Sequence, residues 1–274
     1  MKIGEPHFTR SYHKRLVMSN LRPRGLTGWG FGGIIVVRNK EYCSYIRTNS
    51  DARQGDKRKE RCAIQTVEKI CEHKIVAIAR RVPPDKIVPA AQALYEGGIR
   101  LMEITFDQAD PECLRLTPRM IEALIARFPD MLVGAGTVMS REQARAAADA
   151  GAQFALAPNV DEEVIDEALG RGLVAIPGAM TPTEVAHAWK LGAAMVKLFP
   201  AGDLGLGYLK ALRGPLPHIP LMAVGGVDLN NLSDFFRAGA KAVGLGSNIV
   251  DNKLIAEGRY RELTGLAKAY TSLT

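Results

Sequence analysis

The stretch TPTEVAHAWKLGAAMVKLFPAG, residues 181–202, contains a predicted helix followed directly by a predicted buried strand. Thr181 and Glu184 fit a capping box with proline at the first helical position, and Gly192 fits a left-handed residue after the helix. The next residues are almost all apolar, which is typical of a strand covered on both faces in a parallel sheet. Lys197 interrupts this run, although lysine is rarely buried without a partner. The stretch therefore predicts a helix–strand unit with a lysine in its interior.

The same unit recurs along the chain. Eight apolar runs lie at intervals of roughly 20 to 30 residues: 75–80, 101–106, 131–137, 154–158, 174–178, 195–200, 221–226 and 242–247. Helix-like segments lie between them, and Ser140 with Gln143 fits a second capping box. Eight consecutive units predict an α/β fold, a (β/α)8 TIM barrel. A doubly wound parallel sheet is the alternative, but it does not require eight unbroken units.

Charge divides the chain into two parts. Its 274 residues are 47% hydrophobic and carry a net charge of +7. Residues 1–60 hold 13 of the 36 Lys and Arg residues and five of the 29 Asp and Glu residues, so this segment carries +8 and the remainder −1. The remainder therefore lacks the charge of a nucleic-acid-binding domain.

Residues 1–60 are predicted to form a basic, disordered extension, and residues 61–274 the barrel domain. The first segment is rich in Arg and Gly, shows no sustained period and ends in the charged run DARQGDKRKE. Such a composition buries too little apolar surface to offset the entropy of ordering. It is interpreted as a dispensable extension or an upstream start, and the alternative is an arm that contacts nucleic acid or an acidic partner.

Neither metal binding nor membrane insertion is indicated. The four cysteines are irregularly spaced, and the five histidines lie in the basic segment, before the first barrel strand, or in a helix and a loop. No apolar run approaches the roughly 20 residues of a membrane span. The predictions are no cofactor, no metal, no nucleic-acid or membrane partner, and a cytoplasmic location.

Two charged residues stand inside apolar runs that end at the same face of a barrel. In TIM barrels the chemistry lies at the carboxyl ends of the strands, where Lys197 and Glu103 would meet. Burial lowers the pKa of a lysine, and the neutral amine can attack a ketone to form a Schiff base. A glutamate with a raised pKa can then move protons. A structural ion pair between the two is the alternative interpretation.

Two glycine-containing turns predict a phosphate site. Gly225 and Gly226 follow the seventh run, and Ser247 follows the eighth. Small residues there leave backbone N–H groups accessible, and the loops after strands seven and eight often bind phosphate in barrels.

The motifs EITF, GAGTV, APN, IPGAMTPTE, VKLFPA, VGGV and GLGS, in this order, resemble the bacterial aldolases that cleave 2-keto-3-deoxy-6-phosphogluconate and 4-hydroxy-2-oxoglutarate. The likeness runs from about residue 62 to the C-terminus. It implies a class I lyase of carbohydrate metabolism, in the Entner–Doudoroff pathway, that forms pyruvate from a phosphorylated 2-keto-3-deoxy sugar acid. It also implies a homotrimer.

The resemblance also assigns roles to individual residues. Lys197 would be the Schiff-base lysine and Glu103 the acid/base. The residues that would bind the substrate are Arg80, Thr137, Pro158 and Phe199, and those that would hold its phosphate are Gly225, Gly226 and Ser247.

Two positions depart from the family pattern. Asp107 stands where many members have an arginine that helps bind the carboxylate, and Val224 replaces a threonine before the paired glycines. Both departures leave the substrate open, including the galactonate epimer. Two other functions also remain open, namely a metal-dependent aldolase or epimerase and a non-catalytic phosphosugar-binding barrel.

Overall fold

The structure, a computed structural model, describes residues 34–39, 42–47 and 54–274, with side chains from residue 61 onward. Strands β1 (Ile34–Asn39) and β2 (Tyr42–Arg47) form an antiparallel pair. Most of the predicted extension, residues 1–60, lies outside these ranges, so its disorder stays a prediction. Helix α1 (Gln54–His73) crosses the expected domain boundary.

Nine parallel strands form the barrel wall. They are β3 (Ile75–Ala79), β4 (Leu101–Thr105), β5 (Leu132–Gly136), β6 (Phe154–Leu156), β7 (Val174–Ile176), β8 (Gly178–Ala179), β9 (Val196–Leu198), β10 (Leu221–Val224) and β11 (Ala242–Leu245). The hydrogen-bonded order is β7-β6-β5-β4-β3-β11-β10-β9-β8. Only Pro177 separates β7 from β8, so these two short strands act as one bent strand that closes the ring. The predicted (β/α)8 barrel is confirmed.

Helices alternate with these strands and cover the outside of the barrel. They are α2 (Ile87–Glu96), α3 (Cys113–Arg127), α4 (Arg141–Asp149), α5 (Glu162–Gly170), α6 (Pro182–Lys190), α7 (Ala201–Arg213), α8 (Leu232–Ala238), α9 (Asn252–Ala256) and α10 (Tyr260–Thr271). None of the helices in the described ranges is long and apolar enough to cross a membrane.

The two predicted capping boxes have different outcomes. At α6, Thr181 accepts a hydrogen bond from the Glu184 N–H and Glu184 accepts one from the Thr181 N–H, which confirms the first. At α4, the Ser140 hydroxyl accepts from the Gln143 N–H at 3.2 Å. The reciprocal bond is absent at this helix start, because the Gln143 side chain accepts from the N–H of Met139 instead, at 2.7 Å. The second prediction is therefore only half correct.

Two apolar clusters form the core. The outer cluster packs the helices against outward-facing strand residues such as Met102 and Val196. The inner cluster fills the barrel with inward-facing residues and includes Val67 and Ile70 of α1. Because α1 precedes the first barrel strand, it closes the amino-terminal end of the barrel. The carboxyl end is left for chemistry.

Candidate active site

Lys197 lies in the middle of β9, with its side chain inside the barrel. Side chains alternate across a strand, and Met195, two residues earlier, belongs to the inner cluster. Lys197 is 6% exposed, and its Nζ lies 5.1 Å from the centre of the Phe199 ring. The ring therefore lies beside the amine, and its role in binding substrate stays a prediction.

Glu103 lies in the middle of β4 and also points into the barrel. It follows Leu101 of the inner cluster by two residues and is 1% exposed. A Cβ atom on Gly136 of the neighbouring strand would lie 1.5 Å from the Glu103 Oε1, so glycine provides the space for this carboxyl. Oε2 is buried and has no hydrogen-bond partner among the residues that the structure describes. A buried acceptor left open in this way is available to a substrate.

The two groups shift each other's pKa through space. Burial raises the pKa of Glu103, and the positive charges of Lys197 and Arg80 partly oppose this rise. Burial lowers the pKa of Lys197, Arg80 lowers it further, and Glu103 raises it. Among the described side chains, no ion pair within 4.0 Å joins Lys197 to Glu103. The arrangement favours an uncharged amine beside a carboxyl that can hold a proton.

Arg80 follows β3 at the open end of the barrel. It comes two residues after Ile78 of the inner cluster, and its charge acts on both Glu103 and Lys197. Its guanidinium forms no ion pair within the described ranges, while its carbonyl accepts from the Asn252 amide at 3.0 Å. Arg80 thus presents a positive charge to the barrel mouth.

Asp107, which departs from the family pattern, is already engaged by other groups. Its carboxylate accepts from the N–H of Ala109 at 3.2 Å and pairs with Arg81 at 2.9 Å. These bonds hold the pKa of Asp107 below its usual range. The acidic side chain is therefore neutralised by Arg81, and Arg80 remains for an anion.

Thr137 and Pro158 follow β5 and β6. Thr137 has φ 53°, a left-handed conformation that costs a β-branched residue about 1–3 kcal/mol. Such strain is most common at functional sites. Pro158 packs its carbonyl against Gly178, where a Cβ atom would approach within 2.4 Å, and Gly178 pairs with Lys197 in the sheet. Both residues therefore lie on the face that carries Lys197.

The predicted phosphate site lies beyond β10 and β11, which pair directly. Gly225 and Gly226 have φ 86° and 71°, and a Cβ atom on Gly202 would lie 2.6 Å from the Gly226 Cα. Ser247 is exposed, and within the part of the chain that the structure describes its hydroxyl makes no hydrogen bond. The Asn248 amide donates to the Val227 carbonyl at 2.7 Å, which joins the loop after β11 to the loop after β10. This corner combines close backbone approach with a free hydroxyl donor.

Sequence reasoning missed a pair of glutamines beside Thr137. Gln108 donates to the Thr137 carbonyl at 2.8 Å and accepts from the Gln143 amide at 3.0 Å. The sequence marked Gln143 only as a helix-cap residue. Nothing in a single sequence connects two side chains that are 35 positions apart.

Residues 66–266 match the family model described as KDPG and KHG aldolase. The chain is 35% identical over 198 residues to a 2-dehydro-3-deoxy-6-phosphogalactonate aldolase of Escherichia coli K12, which covers 72% of this chain and 94% of that protein. It is 37% identical over 182 residues to a 2-dehydro-3-deoxy-phosphogluconate aldolase of Treponema pallidum, which covers 66% of this chain and 84% of that protein.

Among solved structures, the fold is similar to a KDPG aldolase of Legionella pneumophila captured with pyruvate as a covalent carbinolamine intermediate. The TM-score is 0.65 at 29% identity, over 72% of this chain and 93% of that one. A structure described as native KDPGal gives a TM-score of 0.63 at 32% identity, over 73% of this chain and 95% of the other. With the family match spanning most of its length, the chain belongs to the KDPG and KHG aldolase family of carbon–carbon lyases.

Proposed function

We propose that the protein is a class I aldolase that cleaves 2-dehydro-3-deoxy-6-phosphogluconate to pyruvate and glyceraldehyde 3-phosphate. The observation that carries this proposal is the pair of Lys197, buried with a lowered pKa, and Glu103, whose buried Oε2 has no partner in the described part of the chain. A buried polar group without a partner lowers the free energy of unfolding by about 1–3 kcal/mol. Substrate binding at Glu103 explains why the protein has such a group there.

Lys197 acts as the nucleophile. Its neutral amine attacks the C2 ketone, and loss of water gives an imine. Glu103 relays protons during this step and accepts the C4 hydroxyl proton as the C3–C4 bond breaks. The bond's electron pair moves into the imine and forms an enamine, and glyceraldehyde 3-phosphate leaves. Protonation at C3 and hydrolysis release pyruvate and regenerate the amine. The protonated imine serves as the electron sink, so the mechanism uses no metal or organic cofactor.

The surrounding residues bind the two anionic ends of the substrate. Arg80 and Thr137 meet the carboxylate end, and Pro158 and Phe199 form walls around the pyruvoyl group. At the other end, backbone N–H groups of Gly225 and Gly226 and the hydroxyl of Ser247 hold the phosphate. Arg80 is suited to its role because its positive charge acts on both Glu103 and Lys197, and no ion pair with another described side chain holds it.

The choice between substrates is the finer part of the proposal. The relatives carry both the gluconate and the galactonate names. Val224 is buried and brings no hydroxyl to the phosphate corner. The galactonate epimer is the second candidate, and 4-hydroxy-2-oxoglutarate, which would give pyruvate and glyoxylate, is a further substrate. By the same family likeness we propose a cytoplasmic location and a homotrimer. Sedimentation would test the oligomeric state.

Borohydride trapping tests the reaction type. The protein is incubated with pyruvate and sodium borohydride, and the digested protein is analysed by mass spectrometry. We expect one reduced pyruvate adduct, located on Lys197. Lys197→Arg should abolish it, because a guanidinium stays charged.

Lys241 provides the matched control. Burial also lowers its pKa, but it precedes β11 at the opposite end of the barrel. Lys241→Arg should therefore trap pyruvate as the wild type does. A folded wild-type protein without an adduct contradicts the aldolase mechanism. Binding of the phosphosugar without turnover would then support a non-catalytic barrel, and inhibition by a chelator would support a metal-dependent enzyme. With an adduct established, turnover of the three substrates decides among them.

A further inference from the structure

The loop after β5 is held in a strained conformation by groups outside it. Thr137 is one of three non-glycine residues with positive φ in the described part of the chain, and it is β-branched. A residue stays in such a conformation only where its surroundings fix it from several directions. The hydrogen bonds to Thr137 and Met139 identify these surroundings.

Two glutamine side chains make these bonds. Gln108, in the loop after β4, donates its amide to the Thr137 carbonyl at 2.8 Å. Gln143, in the first turn of α4, accepts from the Met139 N–H at 2.7 Å. The glutamines also bond to each other, because the Gln143 amide donates to the Gln108 Oε1 at 3.0 Å. The backbone is thus held on both sides of Val138.

The two glutamines differ in exposure. Gln143 is 6% exposed, and its buried amide donates one hydrogen bond and accepts another in this network. Gln108 is exposed, so it contributes little to the apolar core. The main effect of the exposed Gln108 side chain is therefore to position the strained backbone of Thr137.

We propose that Gln108 and Gln143 are positioning residues that fix Thr137 at the pyruvoyl end of the substrate pocket. They act through the Thr137 backbone and do not touch the reacting atoms. This inference rests on the proposed function, since it assumes that Thr137 contacts the substrate. The inference adds one requirement to the proposed function. The two glutamines must join the loops after β4 and β5 if the carboxylate end of the substrate is to be bound tightly.

The variants Gln108→Met and Gln143→Met keep the length of each side chain and remove its hydrogen bonds. Gln153→Met is the matched control. Gln153 accepts from the Val133 N–H at 2.9 Å, so it also bonds to the β5 region, but at the opposite end of the strand from Thr137. All variants are measured as the intact protein. The measurements are the temperature of thermal unfolding, the pyruvate concentration that gives half-maximal trapping, and the inhibition of substrate turnover by inorganic phosphate.

We expect the half-saturating pyruvate concentration to rise about tenfold in Gln108→Met and Gln143→Met. The double variant should be little worse than either single variant, because the two side chains form one network. Inhibition by phosphate should not change, since β10 and β11 lie away from β5 in the barrel. Gln153→Met should lower the unfolding temperature and leave the half-saturating pyruvate concentration unchanged.

Several results overturn the inference. One is a Gln108→Met protein that traps pyruvate at wild-type concentrations. Another is a shift in Gln153→Met as large as that in Gln108→Met, which would indicate general loosening. If Gln143→Met does not fold, the exposed Gln108 still decides the question. A wild-type protein that forms no adduct refutes the proposed function instead, so the two failures are distinguishable.

Discussion

Glu103 combines full burial with an incomplete set of hydrogen bonds. Within the described ranges its Oε2 has no hydrogen-bond partner, and burial is the largest influence on its raised pKa. In the interior, an uncompensated carboxylate lowers the free energy of unfolding. The residue is therefore expected to be costly for stability and necessary for activity, as is common for functional groups.

The pH dependence of stability follows from the direction of this shift. Between the unfolded value of 4.5 and the raised folded pKa, the unfolded chain has released a proton that the folded protein keeps. The stability contributed by Glu103 therefore falls as pH rises through this window. We expect Glu103→Gln, which does not titrate, to become increasingly more stable than the wild type as pH rises from 4.5 toward the raised folded pKa of Glu103. Urea unfolding across this range measures the difference in the free energy of unfolding. The prediction is contradicted if the wild type becomes more stable relative to the variant as pH rises.

Gly136 has a steric role that a single substitution can test. A Cβ atom there would lie 1.5 Å from the Glu103 Oε1 and 2.3 Å from its Cδ, so the carboxyl must move in Gly136→Ala. We expect kcat to fall about a hundredfold or more and the free energy of unfolding to drop by about 1–3 kcal/mol. Gly265→Ala is the control, since nothing lies within 4 Å of that position in α10. It should be neutral or stabilising, by about 1 kcal/mol at most. Unchanged kcat in Gly136→Ala would show that the carboxyl position is not critical.

At the level of elements, the start of α6 fixes the strand that pairs with Lys197. The Glu184 carboxylate accepts from the N–H groups of Met180 and Thr181, at 2.9 and 2.8 Å. The Tyr208 hydroxyl donates to the Met180 carbonyl at 2.6 Å. These bonds join α6 and α7 to the end of β8, whose register partner is β9. Helix capping thus contributes to the position of the reactive lysine.

The charge of Glu184 should make this capping pH-dependent. Hydrogen bonds from Thr181 and Met180 lower its pKa, so its stabilising effect is present above the unfolded value of 4.5 and is lost as pH falls through the folded pKa. We expect Glu184→Ala to lose about 1 kcal/mol at neutral pH, and less in acid. Glu122→Ala, an exposed change in the middle of α3, is the control. Chemical unfolding at two pH values tests this, and an equal loss in both variants would contradict the capping role.

On the scale of the whole molecule, the two ends of the barrel have different tasks. Helix α1 contributes Val67 and Ile70 to the inner cluster and closes the amino-terminal end. Lys197 and Glu103 lie inside the barrel at the middle of β9 and β4, and Arg80 follows β3 at the open carboxyl end. Because both ends share one inner cluster, loss of the closing helix would expose apolar surface to water.

Two truncations separate the roles of the N-terminal residues. Removal of residues 1–53 should leave stability and turnover near those of the full chain, since the apolar clusters of the described residues begin at Ala63. Removal of residues 1–73 also deletes α1, and we expect loss of several kcal/mol or failure to fold. Thermal unfolding and turnover of both proteins test this. Loss of turnover in the shorter deletion would assign a function to the basic segment.

Local patterns in the sequence were sufficient for the alternation of strands and helices in the barrel and for the identity of the charged pair. Apolar runs and caps such as Thr181 with Glu184 depend on neighbouring residues, so a single chain displays them. Lys197 and Glu103 could be singled out because each interrupts an apolar strand, and the motif likeness then indicated the family.

The tertiary structure alone decided how distant side chains meet. The space that Gly136 leaves for Glu103, the Asp107 pair with Arg81, and the joining of Gln108 to Gln143 all connect different strands or loops. The second cap was mispredicted for the same reason, because Gln143 bonds to Met139 and Gln108 in place of its own cap residue. Hydrogen bonds and steric fit depend on distances in space, and these are set only when the barrel closes.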